Sequence, residues 1–272
     1  MDYRTLPNGD RIAVLGLGTW RVGGGMSAEH TNDRQEIAGI RAAVELGYTH
    51  IDTAEIYGGG HAEELVRLGI QGVARDRLFI TSKVWSANLG YGDTLQALEG
   101  SLQRLNTTYL DMYLIHWPNE RIPLEETFRA LNELVARGKV RHLGVSNFDV
   151  AQMEQAMALS STPLVTNQVH YSLLHREPEN NGVLRFCLDN HILLTAYRPL
   201  ERGEVLAHPV VREIAVEHGA TPAQVALRWL IDKAGVIAIA KAVSRSHLED
   251  NLASLALQLS EVDVARLDAL AR

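Results

Sequence analysis

Two hydrophobic patterns alternate along the 272 residues of the chain. Short apolar runs bounded by Gly, Pro or Asn are typical of buried strands, and apolar residues that recur every three or four positions are typical of amphipathic helices. The predicted strands are residues 15–19, 49–53, 78–83, 110–116, 140–145, 164–169, 192–197 and 236–240. The predicted helices are residues 33–46, 62–72, 93–105, 124–137, 149–159, 179–190, 208–218, 222–234, 246–255 and 261–271.

Strands that alternate with helices at roughly 30 residues per unit predict an α/β fold with a parallel sheet closed as a (β/α)8 TIM barrel. We expect one barrel domain over residues 1–272, preceded by a β-hairpin of residues 3–6 and 11–14 and ending in an extra C-terminal helix. An open doubly wound sheet is the alternative. That fold places Gly-x-Gly-x-x-Gly after its first strand, and residues 16–21 (Gly-Leu-Gly-Thr-Trp-Arg) do not supply it. The glycines at 23–25 are interpreted as a flexible loop.

The composition restricts the classes of partner. A formal net charge of -7 and a pI near 5.9 argue against nucleic-acid or anionic-membrane partners, which require a basic face. The sequence has no signal-peptide core and no apolar run of about 18 residues, so we expect a cytoplasmic protein. Its single cysteine, Cys187, lies in a helical pattern and is predicted to be a buried, inert thiol.

Titratable residues lie at the ends of three consecutive predicted strands. Asp52, Lys83 and His116 end the second, third and fourth strands, and Tyr57 follows Asp52 by five residues. The functional face of a barrel is the carboxyl end of its strands, and neighbouring strands lie about 4.8 Å apart. We therefore predict that these four side chains converge.

Such a cluster suits the protonation of a carbonyl. A phenol ionises near pH 10, so Tyr57 can act as a general acid near neutrality only if its pKa is lowered. Lys83 would lower it by stabilising the phenolate, Asp52 would keep Lys83 charged and in place, and His116 would orient the carbonyl. A proton donor above a carbonyl, with no metal, suits the addition of a hydride from a cofactor.

The alternative interpretation of these strand-end residues is the site of a metal-dependent barrel hydrolase. His50 and Asp52 share one strand, and His116 and His170 end others, so a metal site is conceivable. The first strand lacks His-x-His, however, and the ammonium of Lys83 would repel a divalent cation. We therefore predict no metal at this site.

The sequence resembles the aldo-keto reductase superfamily over its whole length. The motifs that carry the resemblance are residues 47–58 around Asp52 and Tyr57, residues 81–85 around Lys83 and residues 109–118 around His116. Prokaryotic diketogluconate and methylglyoxal reductases are the most similar subgroup. The resemblance implies a barrel that uses NAD(P)H without a Rossmann domain, reduces aldehydes and ketones, and takes the proton from the tyrosine.

Further positions follow from the resemblance. It implies that Ser146, Asn147 and Gln168 hold the nicotinamide carboxamide and that Tyr197 stacks on the nicotinamide ring. Arg198 replaces the serine that usually contacts the pyrophosphate, and a guanidinium can serve the same anion. The implied cofactor-binding residues are Gly18, Thr19, Trp20, Asp52, Ser146, Asn147, Gln168, Tyr197, Arg198, Pro199, Leu200, Lys241, Ala242, Ser244, His247, Asp250 and Asn251.

The segment that relatives use for the 2′-phosphate of NADPH is altered. Residues 239–242 are Ile-Ala-Lys-Ala in place of Ile-Pro-Lys-Ser, and His247 stands at the place of an arginine. Lys241 keeps a charge, whereas histidine is cationic only near or below pH 6.5. We expect NADPH as the cofactor, with weak discrimination against NADH.

The sequence ends at Arg272, directly after the last predicted helix, whereas many relatives continue into a loop that covers the substrate. The expected substrate-binding walls are Trp20, Tyr57, Trp85, His116, Trp117 and residues 88–92. We expect small aldehydes and ketones as substrates, including α-dicarbonyls such as methylglyoxal and keto sugars, and a monomer without macromolecular partners. A non-catalytic, nucleotide-binding regulator is the second hypothesis. The presence of all four candidate catalytic residues argues against it.

Overall fold

The computed structural model describes residues 1–271 and contains the predicted closed barrel. Its eight parallel strands are β3 (Leu15–Gly18), β4 (His50–Asp52), β5 (Phe79–Val84), β6 (Leu110–Ile115), β7 (Val140–Ser146), β8 (Leu164–His170), β9 (Leu193–Tyr197) and β10 (Val236–Ala240). They are hydrogen-bonded in the order β10-β3-β4-β5-β6-β7-β8-β9. Strands β10 and β3 pair in register, Leu15 opposite Ala238, and this pairing closes the ring. The open-sheet alternative is therefore excluded.

Helices surround the barrel. They are α1 (Asp33–Glu45), α2 (His61–Gly69), α3 (Tyr91–Leu105), α4 (Leu124–Ala136), α5 (Val150–Leu159), α6 (Glu177–Asn180), α7 (Val183–Asp189), α8 (Pro209–Glu217), α9 (Pro222–Asp232), α10 (Arg245–Ala253) and α11 (Glu261–Asp268). The prediction of one helix over residues 179–190 is wrong, because Gly182 has φ 84° and separates α6 from α7. No helix within residues 1–271 is long and apolar enough to span a membrane.

A hairpin lies at the amino-terminal end of the barrel, as predicted. Strands β1 (Tyr3–Thr5) and β2 (Arg11–Ala13) pair antiparallel. The turn between them carries Asp10, whose carboxylate accepts hydrogen bonds from Arg141 (2.7 Å) and His142 (2.8 Å) near the start of β7. Arg4 donates to the carbonyl oxygen of Ile231 at 2.7 Å, which ties the hairpin to the end of α9.

Side chains inside the barrel alternate with side chains in the surrounding hydrophobic core, as the period of a strand requires. His50 and Asp52 lie on the inner face of β4, while Ile51 between them belongs to the hydrophobic core. His50 fills the lower layer, where a Cβ on Gly16 would come within 2.5 Å of its Nδ1. Asp52 occupies the upper layer, so one strand carries a packing residue and a candidate site residue on the same face.

The segment at residues 23–25 has defined contacts, in contrast to the predicted flexible loop. The amide of Gly23 donates to the buried carboxylate of Glu36 at 2.7 Å, and its carbonyl accepts from Glu29 at 2.9 Å. The amide of Gly58 donates to the carbonyl of Gly25 at 2.7 Å. The segment is thus joined both to α1 and to the turn that follows β4.

Candidate active site

Three of the four predicted catalytic residues, Asp52, Tyr57 and His116, line a cavity of about 520 Å³ at the carboxyl ends of the strands. The fourth, Lys83, is buried in contact with Asp52 and Tyr57. The ammonium of Lys83, at the end of β5, donates to Oδ1 of Asp52 at 2.5 Å and to the carbonyl of Thr53 at 2.8 Å. Its third contact is the phenol oxygen of Tyr57 at 3.4 Å. Lys83 and Asp52 are almost fully buried, so their charges interact in a medium of low polarity.

A glycine turn places Tyr57 above Lys83. Gly58 and Gly59 have φ values of 59° and 60°, a conformation that side chains disfavour. A Cβ on Gly58 would also come within 2.5 Å of the carbonyl oxygen of Gly23. The chain can therefore reverse directly after Tyr57, which returns the phenol to the strand ends.

The balance of effects on Tyr57 differs from the prediction. Burial raises the pKa of Tyr57 and outweighs the nearby Lys83 ammonium, which acts to lower it. For Lys83, burial acts to lower the pKa, but Asp52 and Tyr57 together hold it above its usual value. The phenol is consequently held protonated beside a stable cation. Lys83 can stabilise the phenolate as the proton leaves without ionising the phenol beforehand.

His116 follows β6 and lies at the edge of two aromatic rings. Its ring centroid is 5.5 Å from that of Tyr57 and 5.3 Å from that of Trp85. Burial and the Lys83 charge lower the pKa of His116 to about 2, so the imidazole is neutral. Its Nδ1 is buried without a hydrogen-bond partner among the described residues. A neutral imidazole in this position can orient a polar group without adding a charge.

The predicted carboxamide-binding residues form one hydrogen-bond network with the catalytic cluster. Gln168 donates from Nε2 to Oδ2 of Asp52 at 2.8 Å. Ser146 donates to the backbone oxygen of Gln168 at 2.8 Å, and Asn147 donates to Ser146 at 2.9 Å. Tyr197 in turn donates to Oδ1 of Asn147 at 3.0 Å. All five residues of this network, Asp52, Ser146, Asn147, Gln168 and Tyr197, line the cavity.

Tyr197 is supported by two histidine rings. His170 stacks against it with centroids 5.5 Å apart and planes at 12°, and His175 stacks on His170 at 3.8 Å and 9°. Glu201 fixes this column by accepting from Nε2 of His170 at 2.7 Å. One face of the Tyr197 ring is thus covered by His170, while Tyr197 also lines the cavity.

Four permanent cations line the same cavity, although the whole chain is acidic. They are Arg21, Arg198, Arg202 and Lys241. The one carboxylate in the lining, Asp52, is already paired with Lys83. Such a field concentrates anions in the cavity, so the residues present fit a cofactor that carries phosphate groups.

Aromatic and aliphatic side chains form the outer wall. The predicted wall residues Trp20, Tyr57, Trp85, His116 and Trp117 all line the cavity. Residues 88–92 do not, because Thr94 and Thr127 donate to the carbonyls of Asn88 and Leu89 and hold that loop against the helices. Sequence reasoning missed Arg21, Met26, Ile56 and Arg202, which line the cavity from the loops after β3, β4 and β9. Their proximity to the strand ends is the signal that could have identified them.

The family assignment follows from a match over almost the whole sequence. A family model described as the aldo/keto reductase family matches residues 14–272. The chain belongs to this family.

Individual members of the family are similar to this aldo/keto reductase in sequence and in structure. Methylglyoxal reductase YeaE of Escherichia coli strain K12 is 41% identical over 263 residues, which cover 94% of this chain and 90% of the relative. A solved thermostable aldo-keto reductase in complex with the inhibitor epalrestat has a TM-score of 0.96 and 46% identity, with 100% of both chains covered. The aldo/keto reductase of Klebsiella pneumoniae in complex with NADP and acetate has a TM-score of 0.89 and 40% identity, covering 97% of this chain and 93% of that chain. The predicted oxidoreductase class is confirmed.

Some predicted cofactor residues lie outside the cavity of this aldo/keto reductase. The predicted cofactor residues that do line it are Gly18, Thr19, Trp20, Asp52, Ser146, Asn147, Gln168, Tyr197, Arg198, Pro199, Leu200 and Lys241. Ala242, Ser244 and His247 continue from Lys241 to the start of α10. The structure does not bring Asp250 and Asn251 to the cavity. The carboxylate of Asp250 instead accepts from Thr221 and Gln224 at the start of α9, and Asn251 is a buried residue of α10.

The histidines of the hydrolase alternative are not gathered around Asp52. His50 lies in the lower layer with Nε2 3.2 Å from Thr81, and His170 is stacked between Tyr197 and His175. Lys83 and Gln168 occupy the two oxygens of Asp52. The comparisons support the reductase class and not the hydrolase.

Proposed function

We propose that this aldo/keto reductase uses NADPH to reduce small aldehydes and ketones to alcohols. The observation that carries the proposal is the contact of the buried Lys83 ammonium with Asp52 and Tyr57, two residues that line a cavity rich in cations and aromatic rings. When bound, the reduced nicotinamide supplies a hydride. The chain must then supply the proton, orient the carbonyl and exclude water.

Tyr57 is the proposed proton donor. Its raised pKa keeps the phenol protonated near neutrality, and its oxygen can pass the proton to the carbonyl oxygen as negative charge develops there. Lys83 stabilises the resulting phenolate, and Asp52 holds Lys83 in its charged form. Neutral His116, whose side chain lines the cavity, orients the carbonyl by a hydrogen bond.

The proposed cofactor contacts use the network and the cations of the cavity. Ser146, Asn147 and Gln168 would hold the carboxamide, and Tyr197, backed by His170, would stack on the nicotinamide ring. Stacking on one face leaves the opposite face for hydride transfer.

The proposed phosphate contacts divide between the cavity and the start of α10. Arg198 and the other lining cations would contact the pyrophosphate. For the 2′-phosphate, Lys241, Ser244 and His247 near the amino terminus of α10 are the proposed partners. Since only Lys241 among them is a permanent cation, NADH is proposed to be accepted as well.

The proposed substrate class is α-dicarbonyl compounds and similarly small carbonyls. One relative is named a methylglyoxal reductase, and the wall offers aromatic surface from Trp20, Trp85 and Trp117 with few fixed polar groups. A cavity of about 520 Å³ that also receives the nicotinamide leaves space for a small substrate.

The decisive experiment mixes the protein with NADPH and methylglyoxal and follows the absorbance of the reduced nicotinamide. We expect decay in the parent, and a loss of roughly 10²-fold to 10⁴-fold in kcat for Tyr57→Phe with NADPH affinity within a few-fold. Tight NADPH binding without turnover of any small aldehyde would favour the regulatory hypothesis. Substantial turnover by Tyr57→Phe would show that another group donates the proton.

A further inference from the structure

A second cluster of potential ligands lies outside the cavity, where the loop before α1 meets the first residue of α2. Asp33 begins α1, His61 begins α2, and His30 precedes α1 by three residues. One ligand atom from each of the three residues lies within 4.8 Å of the others. Two imidazoles and a carboxylate are a donor set typical of Zn²⁺ and related transition-metal ions.

The arrangement of His61 matches that of a metal-binding histidine. Its Nδ1 lies 2.8 Å from Oε2 of Glu64, and its Nε2 lies 2.9 Å from Oδ1 of Asp33. With Nδ1–H donating to Glu64, Nε2 presents its lone pair toward Asp33 and His30. A carboxylate that orients the distal nitrogen in this way fixes the tautomer and increases the basicity of the ligand.

The cluster combines a rigid part with an adjustable one. The side chain of His61 is 9% exposed, whereas that of His30 is 68% exposed and contacts Asp33 at 3.2 Å. Nitrogen and oxygen ligands around a tetrahedral zinc ion lie about 3.4 Å from one another. A change of rotamer at exposed His30 and a lengthening of the 2.9 Å contact between His61 and Asp33 would bring the three atoms around one ion.

We propose that His30, Asp33 and His61 bind one divalent transition-metal ion, with Zn²⁺ as the best match to the donor set, and that water completes the coordination. Glu64 acts as the positioning residue for His61. Without a metal, a proton on Nε2 of His61 would make the same contact with Asp33, so the competing interpretation is a simple hydrogen-bonded cluster.

A bound ion would connect two walls of the active site. His30 and Asp33 follow the loop that carries Arg21 and Met26 into the cavity, and His61 follows Tyr57 by four residues. The loop and the turn already touch through the bond from Gly58 to Gly25. The ion would therefore stiffen the join between the outer wall and the turn that carries Tyr57.

The test titrates the whole protein with Zn²⁺ by calorimetry and with Co²⁺ by visible absorption, both without cofactor. We expect one equivalent of ion and, for Co²⁺, the intense bands of a site with few ligands. His30→Ala and Asp33→Asn should each weaken Zn²⁺ binding by about tenfold or more. His175→Ala is the matched control, because it removes a partly exposed histidine beside another histidine, and it should leave binding unchanged.

Thermal unfolding supplies a second readout. Zn²⁺ should raise the unfolding midpoint of the parent and of His175→Ala but not that of His30→Ala, since a ligand stabilises only a fold that binds it. His30 is exposed, so its removal should leave the apo protein folded. The absence of one-equivalent binding, or binding that His30→Ala and Asp33→Asn leave intact, would overturn the proposal.

Discussion

Gln168 reaches across the barrel and donates a hydrogen bond to Asp52 at 2.8 Å. Their strands, β8 and β4, stand opposite each other in the ring of eight. A carboxylate only accepts hydrogen bonds, so the NH₂ group of Gln168 must face Asp52, and its Oε1 remains available as an acceptor. One side chain can thus hold the partner of Lys83 and receive the carboxamide of the cofactor.

Gln168→Met should therefore weaken both stability and cofactor binding. The substitution leaves Oδ2 of buried Asp52 without its donor, which is expected to lower the free energy of unfolding by about 1–3 kcal/mol. NADPH affinity should fall as well, as measured by a fluorescence titration beside denaturant unfolding. Gln71→Met, at an exposed position, is the control. Unchanged NADPH affinity in a destabilised Gln168→Met protein would confine Gln168 to a structural role.

The Lys83–Asp52 pair makes a prediction about coupled substitutions. Lys83→Met leaves a buried carboxylate unpaired and should destabilise the fold by roughly 3–5 kcal/mol, while Asp52→Asn added to it should restore much of that loss. Reductase activity should be lost in the single and double variants alike. Unfolding free energies of the two single variants and the double variant provide the cycle. Simple additivity would contradict a coupled pair.

His247→Arg should raise the preference for NADPH over NADH. His247 is exposed in the first turn of α10, and arginine would supply a permanent charge and a bidentate donor to the 2′-phosphate. The check is the ratio of kcat/KM for NADPH to that for NADH, measured in the parent and in the variant under the same conditions. A ratio that His247→Arg leaves unchanged would leave Lys241, Ser244 or Arg245 as the relevant partners.

Two buried histidines should make the fold sensitive to acid. Burial lowers the pKa of His50 to about 4, whereas an unfolded histidine titrates near 6.5. Below about pH 6.5 the unfolded chain binds a proton that the native chain does not, so His50 alone should remove up to about 3 kcal/mol of stability by pH 4. His116, with a pKa of about 2, acts in the same direction.

The check is denaturant unfolding between about pH 7.5 and pH 4 for the parent and for His50→Gln. The variant lacks one of these two buried histidines, so its stability should depend less steeply on pH, whatever its absolute stability. Equal slopes for the two proteins would show that His50 is not the group that links acid to unfolding.

The barrel and the four candidate catalytic residues were predictable because each follows a local rule. Strand periodicity and strand-end position placed Asp52 and Lys83 without any distant information. The bond from Gln168 to Asp52 spans 116 residues, and no local pattern encodes it. The pKa of Tyr57 depends on how completely the surrounding loops bury the phenol. Burial raises this pKa by more than Lys83 lowers it. The contact of Asp250 with the start of α9 was likewise not predictable, because a carboxylate near a predicted phosphate site gives no sign that α9 already binds it.

The pairing of β3 with β10 has a consequence for the newly synthesised chain. Leu15 in β3 leaves the ribosome early, yet its partner Ala238 in β10 is translated only after the six intervening barrel strands, β4 to β9. The hydrogen bond from Arg4 to Ile231 likewise cannot form until Ile231, 227 residues further along, has been translated. Until then the growing sheet has two unpaired edges that can bind strands of other chains. Closure of the ring is thus the step at which the nascent protein loses its exposed edges, and the chain is most prone to aggregation just before it.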